Sequence, residues 1–185
     1  MALREVIPYF DEPCFKSTYK LIISVNKNIA NSSKYFTVVS NSDIEQIYEK
    51  DNNKIFCFKN APKMSCYLLT FTIGFYEYHE KYINKINGEK LRLRIYYPLE
   101  QLNKCKYILT VTEDALKKYE KLFNYPFDMD KLDSIFIPNM NFTAMENFGC
   151  ITYKQEIIIE PNNTNSIFYK NSLIYFINKF LLNIY

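Results

Sequence analysis

The stretch "LRLRIYYPLEQLNKCKYILTVTEDALKKYEKLF", residues 91–123, decides the fold class, because its hydrophobic period changes midway. Leu91, Leu93, Ile95 and Tyr97 alternate with Arg92 and Arg94, and a period of two puts the apolar set on one face of a strand. Pro98 closes that strand, since proline removes a ladder donor. From Cys105 the period becomes helical. Ile108, Val111, Ala115, Tyr119 and Leu122 form one stripe, with Glu113, Lys117, Lys118 and Lys121 largely outside it. Pro126 in "NYPFD" disfavours a helical residue before it, so the helix is expected to end there. A β piece is followed by an α/β piece, an α+β chain with domains expected at 1–97 and 98–185.

Working upstream, "TYKLIISV" (18–25), "KYFTVVS" (34–40) and "KIFCFKN" (54–60) read as strands from their β-branched and aromatic content. "NSDIEQIYEKDNN" (41–53) reads as a polar turn region. "MSCYLLTFTIGFYEYHE" (64–80) is a long apolar strand, with a bend or bulge expected at Gly74. Asn87-Gly88 signals a hairpin turn into residue 91. Downstream, "KLDSIFIPNM" (131–140) and "CITYKQEIIIE" (150–160) are buried-strand candidates. "IFYKNSLIYFINKFLLNIY" (167–185) is expected to be a helix with a wide apolar face.

The 185 residues suffice for one domain or two small ones, and 48% hydrophobic content with 17 Tyr and 15 Phe supplies a core. Net charge is +3 with both signs interspersed and no basic block, which argues against nucleic-acid or membrane-surface binding. Three glycines leave no phosphate-cradling loop. Cys14, Cys57, Cys66, Cys105 and Cys150 form no CxxC pair, and the N-terminus shows no signal-peptide core. Both point to reduced thiols and a cytoplasmic location. The Asn-x-Ser/Thr triplets at Asn31, Asn141 and Asn162 read as chance in an Asn-rich chain. The one histidine, His79, has Glu77 two residues before it and Glu80 after. Glu77 has the spacing of a ligand pair on a strand, but a solvated histidine is the expected reading.

Several stretches occur in an order that resembles a known family. "VIPYFDEPCFKSTYKLIISV" (6–25) resembles the Asp-Glu-Pro strand entry of the M1 zinc aminopeptidases, the gluzincins of puromycin-sensitive and aminopeptidase N type. "KMSCYLLTFTIGFYEY" (63–78) is similar to that family's Met-Ser-x-Tyr-Leu segment. "KKYEKLFNYPFDMDKLDSIFIPNMNFTAMENFG" (117–149) is similar to its helix, Tyr-Pro, Lys-Leu-Asp and Gly-Ala-Met-Glu-Asn run. The resemblance covers about Arg4 to Glu160. It implies part of a saddle-like antiparallel β domain, then the incomplete first lobe of a thermolysin-like α/β domain. It also implies a fragment, cut at both ends relative to the family.

By resemblance, Glu146 binds the free α-amine of a peptide, a charge-assisted contact that selects exopeptidase action. Ala144 and Met145 run beside the peptide as a strand edge, and Asn147 completes the motif. Thr143 stands where the family has Gly. A β-branched residue cannot take positive φ cheaply, so Thr143 is expected to narrow the cleft. Phe142 either lines a side-chain pocket or packs in the core. Asp11, Glu12 and Pro13 are expected to fix a turn, with the carboxylates on nearby backbone or Arg4.

The family's chemistry needs zinc held by His-Glu-x-x-His on a helix, the Glu activating water. No such motif occurs in these residues, and one alignment puts Phe176, Ile177 and Phe180 at the His, Glu and His positions. A divergent tail and a true helix beyond Tyr185 both remain open. The expectation is therefore no zinc bound by this chain and no catalytic residue in it. Three functional readings stand: an inactive homologue, a cut portion of an active aminopeptidase, and a non-catalytic peptide-binding or regulatory module. A partner chain is expected to cover apolar surface around Ile157, Ile158, Ile159, Phe168 and Phe176.

Overall fold

The computed structural model describes residues 7–10, 12–99, 105–157 and 167–184, with backbone only for 105–106 and 167–170. The chain divides into two compact units, 1–75 and 76–185. The two compact units meet between residues 75 and 76. The hairpin of residues 76–98 continues into a parallel pairing with a later strand, which draws it into the second unit.

In the first unit, β1 (Lys16–Ser17) pairs antiparallel with β6 (Met64–Ser65), and β2 (Ile22–Asn26), β5 (Asn53–Phe58) and β4 (Ile44–Lys50) form a sheet in the order β2-β5-β4. A short helix α1 (Lys27–Ala30) follows β2, with the Asn26 side chain accepting from the Asn28 N–H. Strand β3 (Phe36–Ser40) pairs with Phe71–Phe75 of β7 (Phe71–Asn84). Ile23, Val38, Phe56 and Phe58 form this unit's core.

Two expectations fail here. The polar stretch 41–53 holds β4, hairpinned to β5 through Asp51, whose φ is 54°. Most of β4 is exposed, so neither face shows an apolar alternation to read. Gly74 makes no bulge, since its pairing with Thr37 keeps an unbroken register. Glu12 and Pro13 form the expected turn. The Glu12 carbonyl accepts Phe15 N–H at 3.1 Å, and the Pro13 carbonyl accepts the Ser65 hydroxyl at 2.5 Å. Asp11 and Arg4 lie outside the described residues.

In the second unit, β7 and β8 (Lys90–Pro98) form the hairpin expected at Asn87-Gly88, where Gly88 has φ 86°. Strands β9 (Lys131–Ile137), β11 (Cys150–Lys154) and β10 (Ala144–Met145) complete the order β10-β11-β9-β8-β7. The β8–β9 and β9–β11 pairings are parallel, and β10–β11 is antiparallel. Helices α2 (Cys105–Phe123) and α3 (Ile167–Leu182) pack against the apolar face.

The alternation read at 91–97 is real: Leu91, Leu93, Ile95 and Tyr97 are buried in one cluster with Ile108, Val111, Leu116, Leu132, Phe136, Ile151 and Ile177. Each fully buried side chain of this size contributes about 1.5–3 kcal/mol. The helical stripe holds at Ile108, Val111, Ala115 and, partly buried, Tyr119, but not at Leu122, which is 71% exposed; Leu116 is buried as well. Helix α2 stops at Phe123, and Asn124 takes a left-handed φ of 50° just before Tyr125-Pro126. Strand β11 ends at Lys154, short of residue 160, and a 3-10 turn (Gln155–Ile157) follows. Ile157 and Phe176 are partly buried against the core rather than exposed. Ile158 and Ile159, and the Phe168 side chain, lie outside what is described.

Candidate functional site

Residues 141–150 bring the sequence candidates together at one edge of the second sheet. Ala144 and Met145 form β10, the outermost strand, paired with Tyr153 and Thr152 of β11. Among the described residues no strand pairs with the far side of β10, which is the arrangement an extended peptide can extend. The Thr143 carbonyl accepts the Lys154 N–H at 2.9 Å and continues the pairing by one residue. Positive φ at described non-glycine residues occurs at Asp51, Asn124 and Asn139 only. Thr143 therefore needs no glycine-like backbone, and its exposed side chain stands on the edge without conformational strain. Phe142 is 72% exposed and packs in no core.

Glu146 follows β10 directly and is half-buried. Its Oε1 accepts the Asn183 side-chain amide at 3.2 Å. Asn147 is buried, and its carbonyl accepts the Cys150 N–H at 3.1 Å, closing a turn in which Gly149 has φ 66°. Only glycine takes that conformation without a side-chain penalty. The Lys131 ammonium donates to the Gly149 carbonyl at 2.8 Å and to Asp133 Oδ2 at 2.6 Å. The same carbonyl accepts the Asp133 N–H at 3.0 Å. Burial pushes the Cys150 thiol up to about 12, lowered somewhat by the Lys131 charge and raised by Asp133. Burial also raises the Tyr153 phenol, against a hydrogen bond with Ser134.

The helix that reaches Glu146 does so through Asn183, one residue past α3. Ile177 and Phe180, aligned above to a metal-site Glu and His, are buried in the core, with the Phe180 ring 6.1 Å from Tyr153. They serve the sheet–helix contact and do not line the Glu146 edge. Sequence reading missed Asn183, Lys131 and Gly149. Gly149 is one of three glycines, which was the one available signal; Asn183 meets Glu146 from 37 residues away, and Lys131 meets the Gly149 carbonyl from 18 residues away.

The described residues do not gather a ligand set that fits zinc. Among the described residues no group of three or more His, Cys, Asp or Glu side chains gathers. His79 lies on β7, its ring 5.4 Å from Tyr97, opposite Ile95 in the ladder. The group facing Glu146 is a carboxamide, a weak donor to zinc beside imidazole or thiolate. No helix among the described residues is long and apolar enough to cross a membrane.

Comparison with known proteins bears on both units. The Peptidase M1 N-terminal domain model matches residues 1–68, and the Peptidase family M1 domain model matches residues 107–178. A glutamyl aminopeptidase of Bitis rhinoceros is 33% identical over 82% of this chain and 15% of its own length. A leucyl aminopeptidase of Saccharolobus solfataricus is 29% identical over 90% of this chain and 20% of its own. A puromycin-sensitive aminopeptidase of Caenorhabditis elegans is 28% identical over 88% and 16%. The chain thus spans a fifth or less of the length of these relatives. An N-terminal β segment followed by the start of a catalytic domain is the α+β arrangement seen in the fold, and the chain belongs to peptidase family M1.

Proposed function

We propose that residues 143–147 form a recognition edge for the free N-terminus of a peptide, and that these 185 residues bind such peptides without hydrolysing them. The observation that carries this reading is Glu146, a half-buried carboxylate at the end of an outermost strand in an M1-family chain. A peptide pairing along Ala144 and Met145 would bring its terminal ammonium to that carboxylate. Phe142, exposed at the start of the edge, would meet the first side chain. Asn147 would hold the turn behind Glu146 rather than touch the peptide, because it is buried. The non-hydrolytic half rests on sequence: one histidine and no His-Glu-x-x-His leave no water-activating centre within these residues.

The contact is a charge-assisted hydrogen bond worth about 1.5–3 kcal/mol in a partly desolvated site, or roughly ten- to a hundredfold in affinity. Titrating the chain with a short free-amine peptide and its acetylated twin tests it. Glu146→Ala weakens the free-amine peptide by that factor and leaves the acetylated one unchanged. Equal binding of the two peptides to the unsubstituted chain would overturn the reading. A second reading is favoured by the small share of each relative that the chain covers. In a longer product the same edge would face a zinc-bearing helix supplied by residues outside these 185. Transcript sequence continuing past the codon for Tyr185 into His-Glu-x-x-His would establish that reading.

A further inference from the structure

We propose that Lys131, through Asp133 and the Gly149 carbonyl, is the positioning residue that sets the Glu146 carboxylate for amine binding; this rests on the recognition reading above. The Lys131 side chain is 3% exposed and that of Asp133 2%. Burying an ammonium and a carboxylate costs several kcal/mol before their attraction returns it, and a well-packed apolar pair of similar volume often stabilises as well or better. What the apolar pair could not do is hold a carbonyl. The ammonium spans Asp133 Oδ2 at 2.6 Å and the Gly149 oxygen at 2.8 Å. The Asp133 N–H adds a second donor to that oxygen at 3.0 Å. Arg92 Nη2 lies 3.6 Å from the other Asp133 oxygen, an ion-pair distance without a hydrogen bond, so Lys131 is the group that fixes the carboxylate.

The position of the held carbonyl gives the arrangement its consequence. Gly149 lies in the turn closed by Cys150 N–H to Asn147 carbonyl, and Glu146 is the residue that enters that turn. One limb of the turn is tied to β9 by Lys131, and the other carries the carboxylate. The Thr143 carbonyl to Lys154 N–H bond pins the far end of β10. The Glu146 backbone is thus suspended between two fixed points, of which Lys131 supplies the second, while the Asn183 amide meets its Oε1 at 3.2 Å. Removing the ammonium leaves the Gly149 carbonyl with the Asp133 amide alone, and the turn gains freedom.

The test is the affinity ratio of a free-amine tripeptide to its acetylated form on the full chain, with backbone amide exchange on the same samples. Lys131→Met is expected to lower the ratio about tenfold, to lower it no further in combination with Glu146→Ala, and to speed exchange at Cys150 and Asp133 while Leu93 keeps its protection. An unchanged ratio, additive losses in the double variant, or exchange raised equally throughout 76–185 would overturn the proposal. Should Lys131→Met not fold, Lys131→Arg keeps the charge but not the compact head that reaches both oxygens. Its folded form is expected to show a reduced ratio with shifted Glu146 and Cys150 amide resonances, and a ratio equal to that of the unsubstituted chain would overturn the proposal. If the unsubstituted chain itself does not prefer the free amine, the recognition reading has failed on its own. Lys131 is then judged by resonances and exchange at 146–150: a local change in Lys131→Met supports its hold on the turn, and no change refutes it.

Discussion

Replacing Glu120 with alanine should destabilise the second unit by about 2–4 kcal/mol. Glu120 sits in the last turn of α2, where the helix dipole disfavours a negative charge by about 0.3–1 kcal/mol. It is nonetheless 5% exposed. Its Oε2 accepts the Ile86 N–H at 2.8 Å, and its Oε1 accepts the Phe127 N–H at 3.0 Å. One carboxylate therefore ties the β7–β8 turn to the chain that leaves α2 for β9. Phe127 is 3% exposed, so its orphaned N–H would cost about 2–3 kcal/mol. Ile86 is 50% exposed, and water can replace that partner for about 1–1.5 kcal/mol. The recovered dipole energy brings the sum to about 2–4 kcal/mol, a large part of the roughly 5–15 kcal/mol of a domain. Glu120→Gln keeps one acceptor and should cost about half as much. Because the chain has two compact units, a single melting curve is the wrong readout. Residue-resolved amide exchange within 76–185 is the right one. A Glu120→Ala cost below 1 kcal/mol, or unchanged protection of Phe127, would refute the reasoning.

Purified chain supplied with zinc should give no turnover of aminoacyl-coumarin substrates, and turnover abolished by a chelator would contradict that. Cys14 is exposed and Cys150 fully buried, so a disulfide-exchange reagent at pH 8 should label Cys14 at once and Cys150 only after denaturation. The Cys150 thiol is raised from 9.0 to about 12 in the fold. Its share of stability is thus complete below pH 9 and falls by about 1.4 kcal/mol per pH unit up to 12. Cys150→Ala should make alkaline unfolding in that window shallower, and an unchanged profile would count against the shift.

Legibility in the sequence followed the kind of contact involved. Leu91, Leu93, Ile95 and Tyr97 face one apolar core, so their period alone placed them, and the α2 stripe was readable for the same reason as far as Tyr119. Leu122 is exposed although it keeps the helical period, because its turn of α2 buries Glu120 instead. Strand β4 stayed hidden because its stability comes from the ladder to β5 while its side chains face water. Thr143 to Asn147 were singled out through an ordered set of motifs, and of these Ala144 and Met145 form the outermost described strand of their sheet. Lys131, Glu120 and Asn183 were not found. A buried polar residue is explained by its partner, and Gly149, Phe127, Ile86 and Glu146 reach these three only after folding.

The side-chain carboxyl resonance of Glu146, followed by carbon-13 NMR while a free-amine tripeptide is added at pH 7, reads the amine contact at the atom proposed to make it. Binding at this edge predicts a saturable shift of that resonance, with matching changes at the Ala144 and Met145 amides, and no carboxyl shift with the acetylated tripeptide. A Glu146 carboxyl unmoved by the free amine, or moved equally by both peptides, would contradict it.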